Sequence, residues 1–281
     1  MWIPSDFTIL VVDDDAAILE CTSELLRNEG YHVLTADSGD AAVNICQRQE
    51  IHLMILDYLL PPLTGEDVVR LVRAFDVELQ ILLHTGYTEA PPRHLLRALA
   101  IQGYHSKLEG PDKLLLWVEA ILKNYREIRA RRNLENSLLV MSMAMEARDL
   151  ETAGHTQRVV YLAERLGRAM NLPGKQLDAL RQGVYLHDLG KLCVPDAILL
   201  KPDRLNPAER TVMEAHVEQG YELATRIPGV LKDALDVICY HHERWDGSGY
   251  PGGLSGYDIP LLARIFAICD VYDALVSTPP L

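Results

Sequence analysis

Short apolar runs alternate with amphipathic segments over roughly the first hundred residues of the chain. The apolar runs predict strands at Thr8–Val12, His32–Ala36, Leu53–Leu56, Gln80–His84 and, more weakly, Gly103–Ser106. Between them, Ala17–Asn28 and Glu66–Phe75 carry apolar residues at helical spacing, and Gly30 closes the first of these helices. Strands that alternate with helices predict an α/β domain with a five-stranded, parallel, doubly wound sheet.

The pattern changes after Gly110. Apolar residues then recur at alternating intervals of four and three, with neither Gly nor Pro from Leu114 to Ala153, at Leu114, Val118, Ile121, Tyr125 and Ile128. This spacing predicts one long helix whose first part packs on the sheet and whose polar middle acts as a signalling connector. An apolar seam resumes near Leu138, Met141 and Met145. The seam is compatible with a coiled-coil homodimer and equally with packing inside the chain.

From Arg148 onward the sequence has helical patterns and no strand pattern. The predicted helical segments are Thr152–Met170, Gly174–Leu189, Pro207–Ile227, Leu231–His241 and Leu261–Val276. The sequence therefore predicts two domains, an α/β domain over residues 1–122 and an all-α domain over residues 148–281, joined by a helical linker over residues 123–147.

Charge and composition narrow the classes of function. The formal net charge of −13 over 281 residues leaves no large basic face for a nucleic-acid backbone, so we expect no DNA partner. No apolar run is long enough to cross a membrane and no signal peptide precedes Thr8, which predicts a cytoplasmic protein without membrane contact. The five Cys stand at unrelated spacings, mostly inside apolar runs, and predict buried free thiols in a reducing compartment.

Polar residues follow the predicted strands of the first domain. Asp13, Asp14 and Asp15 follow the first strand, Asp57 the third, Thr85 the fourth and Lys107 the fifth. Because the carboxyl ends of parallel strands meet at one edge, these side chains are expected to converge. Clustered carboxylates repel each other unless a cation lies among them, which predicts Mg²⁺, and a carboxylate beside an ammonium and a hydroxyl suits phosphoryl transfer. The alternative is a solvated acidic helix N-terminus.

Residues 7–122 resemble the receiver domain of bacterial response regulators. Asp57-Tyr58-Leu59-Leu60-Pro61 with Gly65 matches the family pattern after the phosphoacceptor, and Tyr104 stands three residues before Lys107, at the place of the family's switch aromatic. The resemblance implies phosphorylation of Asp57 by a cognate sensor histidine kinase. It also implies that Asp13, Asp14 and Asp57 hold Mg²⁺, while Thr85 and Lys107 contact the phosphoryl group. Leu108 stands where the family usually has a cis Pro.

Histidines and carboxylates of the second domain form a pattern of candidate metal ligands. The histidines are His155, His187, His216, His241 and His242. Each alone is more often a core residue than a ligand, but mixed nitrogen and oxygen donors together suit Fe, Mn or Zn better than Ca. Glu151, four residues before His155, is predicted on the same helix face, and Asp188 and Asp270 complete a set of eight. Eight ligands suffice for two or three ions that share Asp188 as a bridge.

Two motifs identify the second domain with a known family. They are His187-Asp188-Leu189-Gly190-Lys191 and the segment from His241 to Pro251, HHERWDGSGYP. Residues 148–278 resemble the HD-GYP family, bacterial metal-dependent phosphodiesterases of the all-α HD superfamily that act on cyclic dinucleotides. The resemblance implies two or three Fe or Mn ions, other divalent metals being possible, with the ligands Glu151, His155, His187, Asp188, His216, His241, His242 and Asp270. It further implies that Lys191 contacts a substrate phosphate and that Tyr250 lines the pocket.

By this resemblance the substrate is cyclic di-GMP. Two ions would lower the pKa of a bridging water, and the resulting hydroxide would attack phosphorus in line with the leaving 3′-oxygen, giving linear pGpG and, on further hydrolysis, GMP. The resemblance further implies that the loop from Gly247 to Pro251 lines the pocket or docks partner proteins such as diguanylate cyclases (GGDEF proteins). Pro279 stands where the family has a substrate-binding Arg. The alternative is a catalytically weak effector that binds metal or nucleotide and signals through protein contacts.

Overall fold

A computed structural model describes residues 3–86, 99–148 and 154–277 of the chain. The contacts divide the chain into two compact units, Met1–Arg129 and Ala130–Leu281. Among the described residues, every helix is too short or too polar to span a membrane.

The first unit is built on a parallel sheet. Its strands are β1 (Thr8–Val12), β2 (His32–Ala36), β3 (Leu53–Leu56), β4 (Leu59–Leu60), β5 (Leu63–Thr64), β6 (Gln80–Thr85) and β7 (Gly103–Ser106). Five of them form the sheet in the order β2-β1-β3-β6-β7, and every pairing in it is parallel. The prediction of a five-stranded parallel sheet is confirmed. The antiparallel β4–β5 pair was not predicted, since two residues per strand leave no pattern to detect.

Helices cover both faces of this sheet. They are α1 (Ala16–Asn28), α2 (Gly39–Arg48), α3 (Gly65–Arg73) and the first part of α4 (Pro111–Arg148). One buried cluster joins Leu10 and Leu56 to Val68 of α3. The other joins Ile9 to Leu26 of α1 and to α4. Successive residues of a strand point to opposite faces, so the apolar residues of β1 and β3 serve both clusters, as a doubly wound sheet requires.

Helix α4 is continuous over 38 residues and ends at Arg148. It was predicted to reach Ala153, and residues 149–153 lie outside the described part. Its first part packs on the sheet through Leu114 and Val118, as predicted. In the second unit Leu138 and Met145 are buried in a cluster with Leu186, so this part of the seam packs within the chain.

The described part of the second unit is helical. Its helices are α5 (His155–Ala169), α6 (Gly174–Leu186), α7 (Asp196–Leu199), α8 (Pro207–Glu214), α9 (His216–Ala224), α10 (Lys232–Tyr240) and α11 (Leu261–Val276), with 3₁₀ turns at Leu189–Cys193 and Gly256–Asp258. The core is formed by α5, α6, α10 and α11 around Val159, Val184 and Phe266. The all-α prediction is confirmed over these residues.

Two predicted helices differ from the structure at histidines. The segment Pro207–Ile227 is divided at Ala215 into α8 and α9, so that His216 begins a new helix. The segment Gly174–Leu189 leaves the α-helix after Leu186, and Asp188 adopts φ −98° and ψ 11°. Apolar periodicity does not detect such breaks, because apolar spacing continues across them.

The cysteines are free thiols in the described residues, as expected, but they are not uniformly buried. Cys269 is buried, whereas Cys21 and Cys193 are exposed. The expectation of burial was wrong for these two: Cys21 lies between polar residues on the solvent-facing side of α1, and Cys193 faces solvent although Leu192 and Val194 beside it are apolar.

Candidate metal centres and phosphoacceptor pocket

The acidic residues at the ends of β1 and β3 converge. Asp13, Asp14 and Asp57 each offer a carboxylate oxygen, and these oxygens all lie within 4.8 Å of one another. Asp13 and Asp57 are buried, whereas Asp14 is exposed. Asp15 has a different task, because its side chain accepts hydrogen bonds from Ala17 N at 2.9 Å and Ile18 N at 3.3 Å and caps α1. The alternative of an acidic helix start therefore applies to Asp15.

Lys107 connects the two buried carboxylates. Its Nζ lies 2.6 Å from Asp13 Oδ2 and 2.6 Å from Asp57 Oδ2. Its backbone N–H donates to Thr85 O at 2.8 Å, which places Lys107 beside the buried Thr85. Burial alone would lower the pKa of Lys107, but the adjoining carboxylates outweigh it and raise the pKa. Burial raises the pKa of Asp13.

Hard divalent ions fit this donor set. One ammonium cannot neutralise three clustered carboxylates, and carboxylate oxygens are the ligands that Mg²⁺ prefers. Tyr104 on β7 is partly buried against the core cluster that contains α3. Within the described residues the cis peptide bonds precede Pro62 and Pro251, so the bond before Leu108 is not one of them.

The second unit brings four predicted ligands together. Donor atoms of Asp188, His216, His241 and His242 all lie within 4.8 Å of one another. Asp188 Oδ1 lies 3.4 Å from His216 Nε2 and 3.9 Å from His241 Nε2. Its other oxygen, Oδ2, lies 3.0 Å from His187 Nε2. The two oxygens of one buried carboxylate thus face different imidazoles, as a carboxylate that bridges two ions would.

Three of the imidazoles are oriented by their own backbone. Nδ1 of His187, His216 and His241 each donates to the carbonyl three residues earlier, at 2.8, 2.8 and 2.9 Å. A carbonyl oxygen can only accept, so Nδ1 carries the proton and the lone pair of each neutral ring is on Nε2. These bonds also cap carbonyls where α6, α8 and α10 end. The same bond therefore caps a helix end and directs Nε2, the candidate metal-binding nitrogen, into the site.

The spacing of the nitrogens supports a metal site. His216 Nε2 and His241 Nε2 lie 3.3 Å apart. In both rings Nδ1–H donates to a backbone carbonyl, so both Nε2 atoms carry lone pairs. Two lone pairs at that distance repel unless a cation lies between them. Two nitrogens about 2.0–2.1 Å from one tetrahedral ion would be separated by about 3.3 Å, so the donor set fits a transition metal.

Electrostatics favour the forms that bind metal. Burial, together with His242 and His187, holds the pKa of His241 well below its usual value. Burial and His216 lower the pKa of His242 to about 4. Burial alone would raise the pKa of Asp188, but the adjoining His187 and Lys191 hold it well below the usual range. Neutral imidazoles and an ionised carboxylate are the ligand forms that metals require.

His155 and Asp270 form a neighbouring pair. His155 Nε2 lies 3.3 Å from Asp270 Oδ1, and the rings of His155 and His187 have centroids 6.0 Å apart. His155 is buried, and the Asp270 side chain is 30% exposed. Glu151 and Pro279 lie outside the described residues. Helix α5 begins at His155 after Gly154 at φ 76°, later than predicted.

Asp273 is a site residue that the sequence analysis missed. It is 2% exposed and accepts from His155 Nδ1 at 2.9 Å and from Arg158 Nε at 2.7 Å. Burial alone would raise the pKa of Asp273, but the hydrogen bonds from Arg158 and His155 hold it below its usual value. Asp273 thus orients His155 as a carboxylate orients a ligating histidine. Its position three residues after Asp270, on the same face of α11, was the available signal.

Gly190 lets the Leu189–Cys193 turn lie against α9. A Cβ at this position would collide with the carbonyl oxygen of His216 and would lie 2.6 Å from Gly220 N. Only glycine permits this approach. The glycine between Asp188 and Lys191 in the motif is therefore explained by packing that brings Asp188 beside His216.

The loop after His242 is organised by a second missed residue, Glu243. Its buried carboxylate accepts from Gly252 N at 2.7 Å and from Leu254 N at 3.0 Å. Tyr250 in this loop stacks on His242, with ring centroids 4.7 Å apart and an interplanar angle of 28°. Burial raises the pKa of Tyr250, so its phenol is neutral.

Comparisons with known proteins agree with this architecture. Residues 9–119 match the response regulator receiver domain, and residues 139–280 match the HD domain. A cyclic di-GMP phosphodiesterase of Thermotoga maritima is 31% identical over 97% of this chain and 81% of its own length. The cyclic di-GMP phosphodiesterase response regulator RpfG of Xanthomonas campestris is 28% identical over 97% of this chain and 78% of its own length. A 3′3′-cGAMP-specific phosphodiesterase of Vibrio cholerae is 44% identical over 48% of this chain and 26% of its own length.

A parallel sheet with an acidic pocket at its edge, joined to a helical unit with a histidine–aspartate centre, defines a two-domain signalling protein. The chain belongs to the HD domain family and is a response regulator that joins a receiver domain to an HD domain. The resemblance drawn from the sequence motifs is confirmed at this level.

Proposed function

We propose that the HD domain hydrolyses cyclic di-GMP under the control of phosphorylation at Asp57. The observation that carries the hydrolase is Asp188, whose two oxygens face His187 on one side and His216 with His241 on the other. The names of the Thermotoga and Xanthomonas relatives support the substrate. The cGAMP-specific Vibrio relative makes a mixed cyclic dinucleotide the comparison substrate.

The proposed metal ligands divide between the two oxygens of Asp188. His216 and His241 adjoin Oδ1, with His242 in the same cluster. His187 adjoins Oδ2, with His155 and Asp270 beyond it and Glu151 proposed by resemblance. When bound, two or three divalent ions, with Fe or Mn as the proposed metals, would activate water and neutralise charge on the phosphate. Asp273 would keep the Nε2 of His155 directed toward the site.

Lys191 would hold the substrate phosphate. Its Nζ lies 2.7 Å from Asp188 Oδ2, at the edge of the centre, and its side chain is 19% exposed. An ammonium there stabilises the negative charge that develops on non-bridging oxygens during in-line displacement. Tyr250, stacked on His242, would form an apolar wall of the same pocket.

In the receiver domain, Asp57 would act as the nucleophile. One carboxylate oxygen would form a bond to phosphorus as the bond to the donor's leaving group breaks, and the leaving group would keep the electron pair. Asp13, Asp14 and Asp57 would hold Mg²⁺, while Lys107 and Thr85 would contact the phosphoryl oxygens. The proposed phosphodonor is a sensor histidine kinase.

Hydrolysis is tested with purified full-length protein loaded anaerobically with Fe²⁺ or Mn²⁺, with metal counted on the same sample. We expect cyclic di-GMP to take up one water and give pGpG, faster than 3′3′-cGAMP reacts, with two or three ions per chain. Asp188→Ala should lose metal and activity, while Asp178→Ala, which changes a carboxylate paired with arginines away from the centre, should keep both. Full metal without product would favour the effector and refute the hydrolase.

Phosphorylation is tested with acetyl phosphate and Mg²⁺. We expect one phosphoryl group per chain, lost in Asp57→Asn and retained in the exposed control Asp37→Asn. Undiminished labelling of Asp57→Asn would refute the assignment of the phosphoacceptor.

A further inference from the structure

The last turn of α4 contacts both segments that lead into the proposed hydrolytic site. Glu146 reaches the start of α5, where His155 lies, and Arg148 reaches the turn that carries Lys191. This turn is held in place by packing, because Ser142 and Met145 one turn earlier are buried, and Met145 shares a cluster with Leu189. All of these residues belong to the second unit.

Glu146 caps the N-terminus of α5 in place of a side chain at the N-cap position. The helix is preceded by Gly154, which has no side chain to accept from the first N–H groups. Glu146 Oε2 accepts from Gly154 N at 3.1 Å, and Oε1 accepts from Thr156 N at 2.6 Å. A carboxylate at this place also interacts favourably with the positive end of the helix dipole. The residue between these two N–H groups is His155, so the cap fixes the backbone that carries this proposed ligand.

Arg148 closes the turn that carries Lys191. Its Nη1 donates to Lys191 O at 2.9 Å, and its Nη2 donates to Val194 O at 2.9 Å and to Asp196 Oδ1 at 2.7 Å. The planar guanidinium thereby spans both ends of the segment 191–194, which its fixed fork of donors suits. Lys191 itself lies 2.7 Å from Asp188.

We propose that Glu146 and Arg148 are positioning residues of the hydrolytic site, acting through His155 and Lys191 respectively. This inference rests on the proposed function of that site. A small displacement of the last turn of α4 would move a metal ligand and a substrate contact together, because each is hydrogen-bonded to that turn. The end of α4 is then the place at which a signal carried by this helix reaches the chemistry.

The role of Arg148 is tested with Arg148→Gln and Arg148→Lys in the full-length protein. The matched control is Arg131→Gln, which removes an arginine of the same helix that pairs with Asp178 away from the site. Amide hydrogen exchange without substrate should accelerate over residues 189–196 in Arg148→Gln and stay unchanged in the control. Arg148→Lys keeps the charge but cannot span three acceptors, so an intermediate acceleration is expected.

Kinetics test whether Arg148 acts through Lys191. We expect kcat/KM to fall by about 10- to 100-fold in Arg148→Gln at unchanged metal content, as for a group misplaced by about 1 Å. In a Lys191→Ala background the same substitution should cost little more, because coupled residues are not additive. Unchanged exchange over 189–196, or fully additive effects, would overturn the proposal. If the wild-type protein hydrolyses nothing, the proposed function fails, whereas the exchange result still decides whether Arg148 orders this turn.

Glu146 is tested in the same way with Glu146→Gln. We expect faster amide exchange at the start of α5 without a change over 189–196, and weaker Mn²⁺ binding by about 10-fold, the usual effect of disturbing a group behind a metal ligand. Unchanged exchange at the start of α5 would remove Glu146 from the proposal.

Discussion

Asp273→Asn is the substitution that best isolates the support of His155. Asp273 is 2% exposed and accepts from His155 Nδ1 at 2.9 Å, from Arg158 Nε at 2.7 Å and Nη2 at 2.9 Å, and from Ser277 Oγ at 3.2 Å. Asparagine keeps the shape but turns one acceptor oxygen into a donor. Arg158 can only donate, so it competes with His155 for the one remaining oxygen. His155 Nδ1 must then lose its partner or accept from the amide, and in the second case its own proton moves to Nε2, which can no longer bind a metal.

The expected loss follows from that geometry. Groups that orient ligating histidines are worth about 10- to 100-fold in metal affinity, or roughly 1.4–2.7 kcal/mol. Breaking a buried ion pair costs about 3–5 kcal/mol of stability. The Arg158 side chain is 39% exposed, so water takes up part of its charge and we expect a loss in stability of about 1–3 kcal/mol. The variant should therefore fold and bind metal weakly.

The assay is a competition titration of Mn²⁺ against a chromophoric chelator, with thermal unfolding measured on the same samples. His155→Ala gives the full effect of losing the imidazole. Asp178→Asn is the matched control, since it weakens an arginine pair in the same unit without contact to the site. A dissociation constant for Asp273→Asn within twofold of the wild type, with a clear effect of His155→Ala, would refute the reasoning about Asp273.

Two further substitutions and one metal-removal experiment test other parts of the site. Gly190→Ala should lower the free energy of unfolding by about 1–3 kcal/mol and weaken metal binding, as measured by denaturation and metal titration. In the control Gly174→Ala the added Cβ meets nothing within 4 Å, so stability and metal binding should stay unchanged. Glu243→Gln should accelerate amide exchange over residues 247–254, and unchanged exchange would show that the loop does not depend on this carboxylate. Removal of metal with EDTA should lower the melting temperature of the wild type but not of Asp188→Ala; equal shifts would place the stabilising ion elsewhere.

The sheet was predictable because its central strands β1, β3 and β6 are short, mostly apolar runs between helical patterns. Four strands were placed at both ends correctly, and Gln80–Thr85 is one residue longer than predicted. The convergence of Asp13 and Asp57 followed from parallel topology alone. The sequence did not show that Asp15 caps α1 while Asp13 and Asp14 join the acidic cluster, because helix capping by Asp15 depends on its extended backbone at φ −83° and ψ 110°.

In the HD domain, the sequence predicted the types of candidate metal ligand but not the residues that orient them or the contacts between them. The motifs pointed to His187, Asp188 and the His241-His242 pair, but the contact between His216 and His241 spans 25 residues and depends on how three helices pack. The role of Asp273 was hidden for a similar reason, because its partners are 115 and 118 residues away in the chain. Local spacing places Asp273 on the same face of α11 as Asp270, but it does not identify partners so distant in the chain.

The hydrogen bonds from Nδ1 to a carbonyl three residues earlier make each histidine part of the helix end that carries it. An ion held by His216 and His241 would therefore fasten helix ends and not merely side chains, closing a loop of 25 residues. A covalent cross-link over such a loop is worth about 3–4 kcal/mol through the entropy of the unfolded chain. The metal centre would thus act as a cross-link within the HD domain. The availability of metal in the cell would then govern how long this protein stays folded as well as its rate of catalysis.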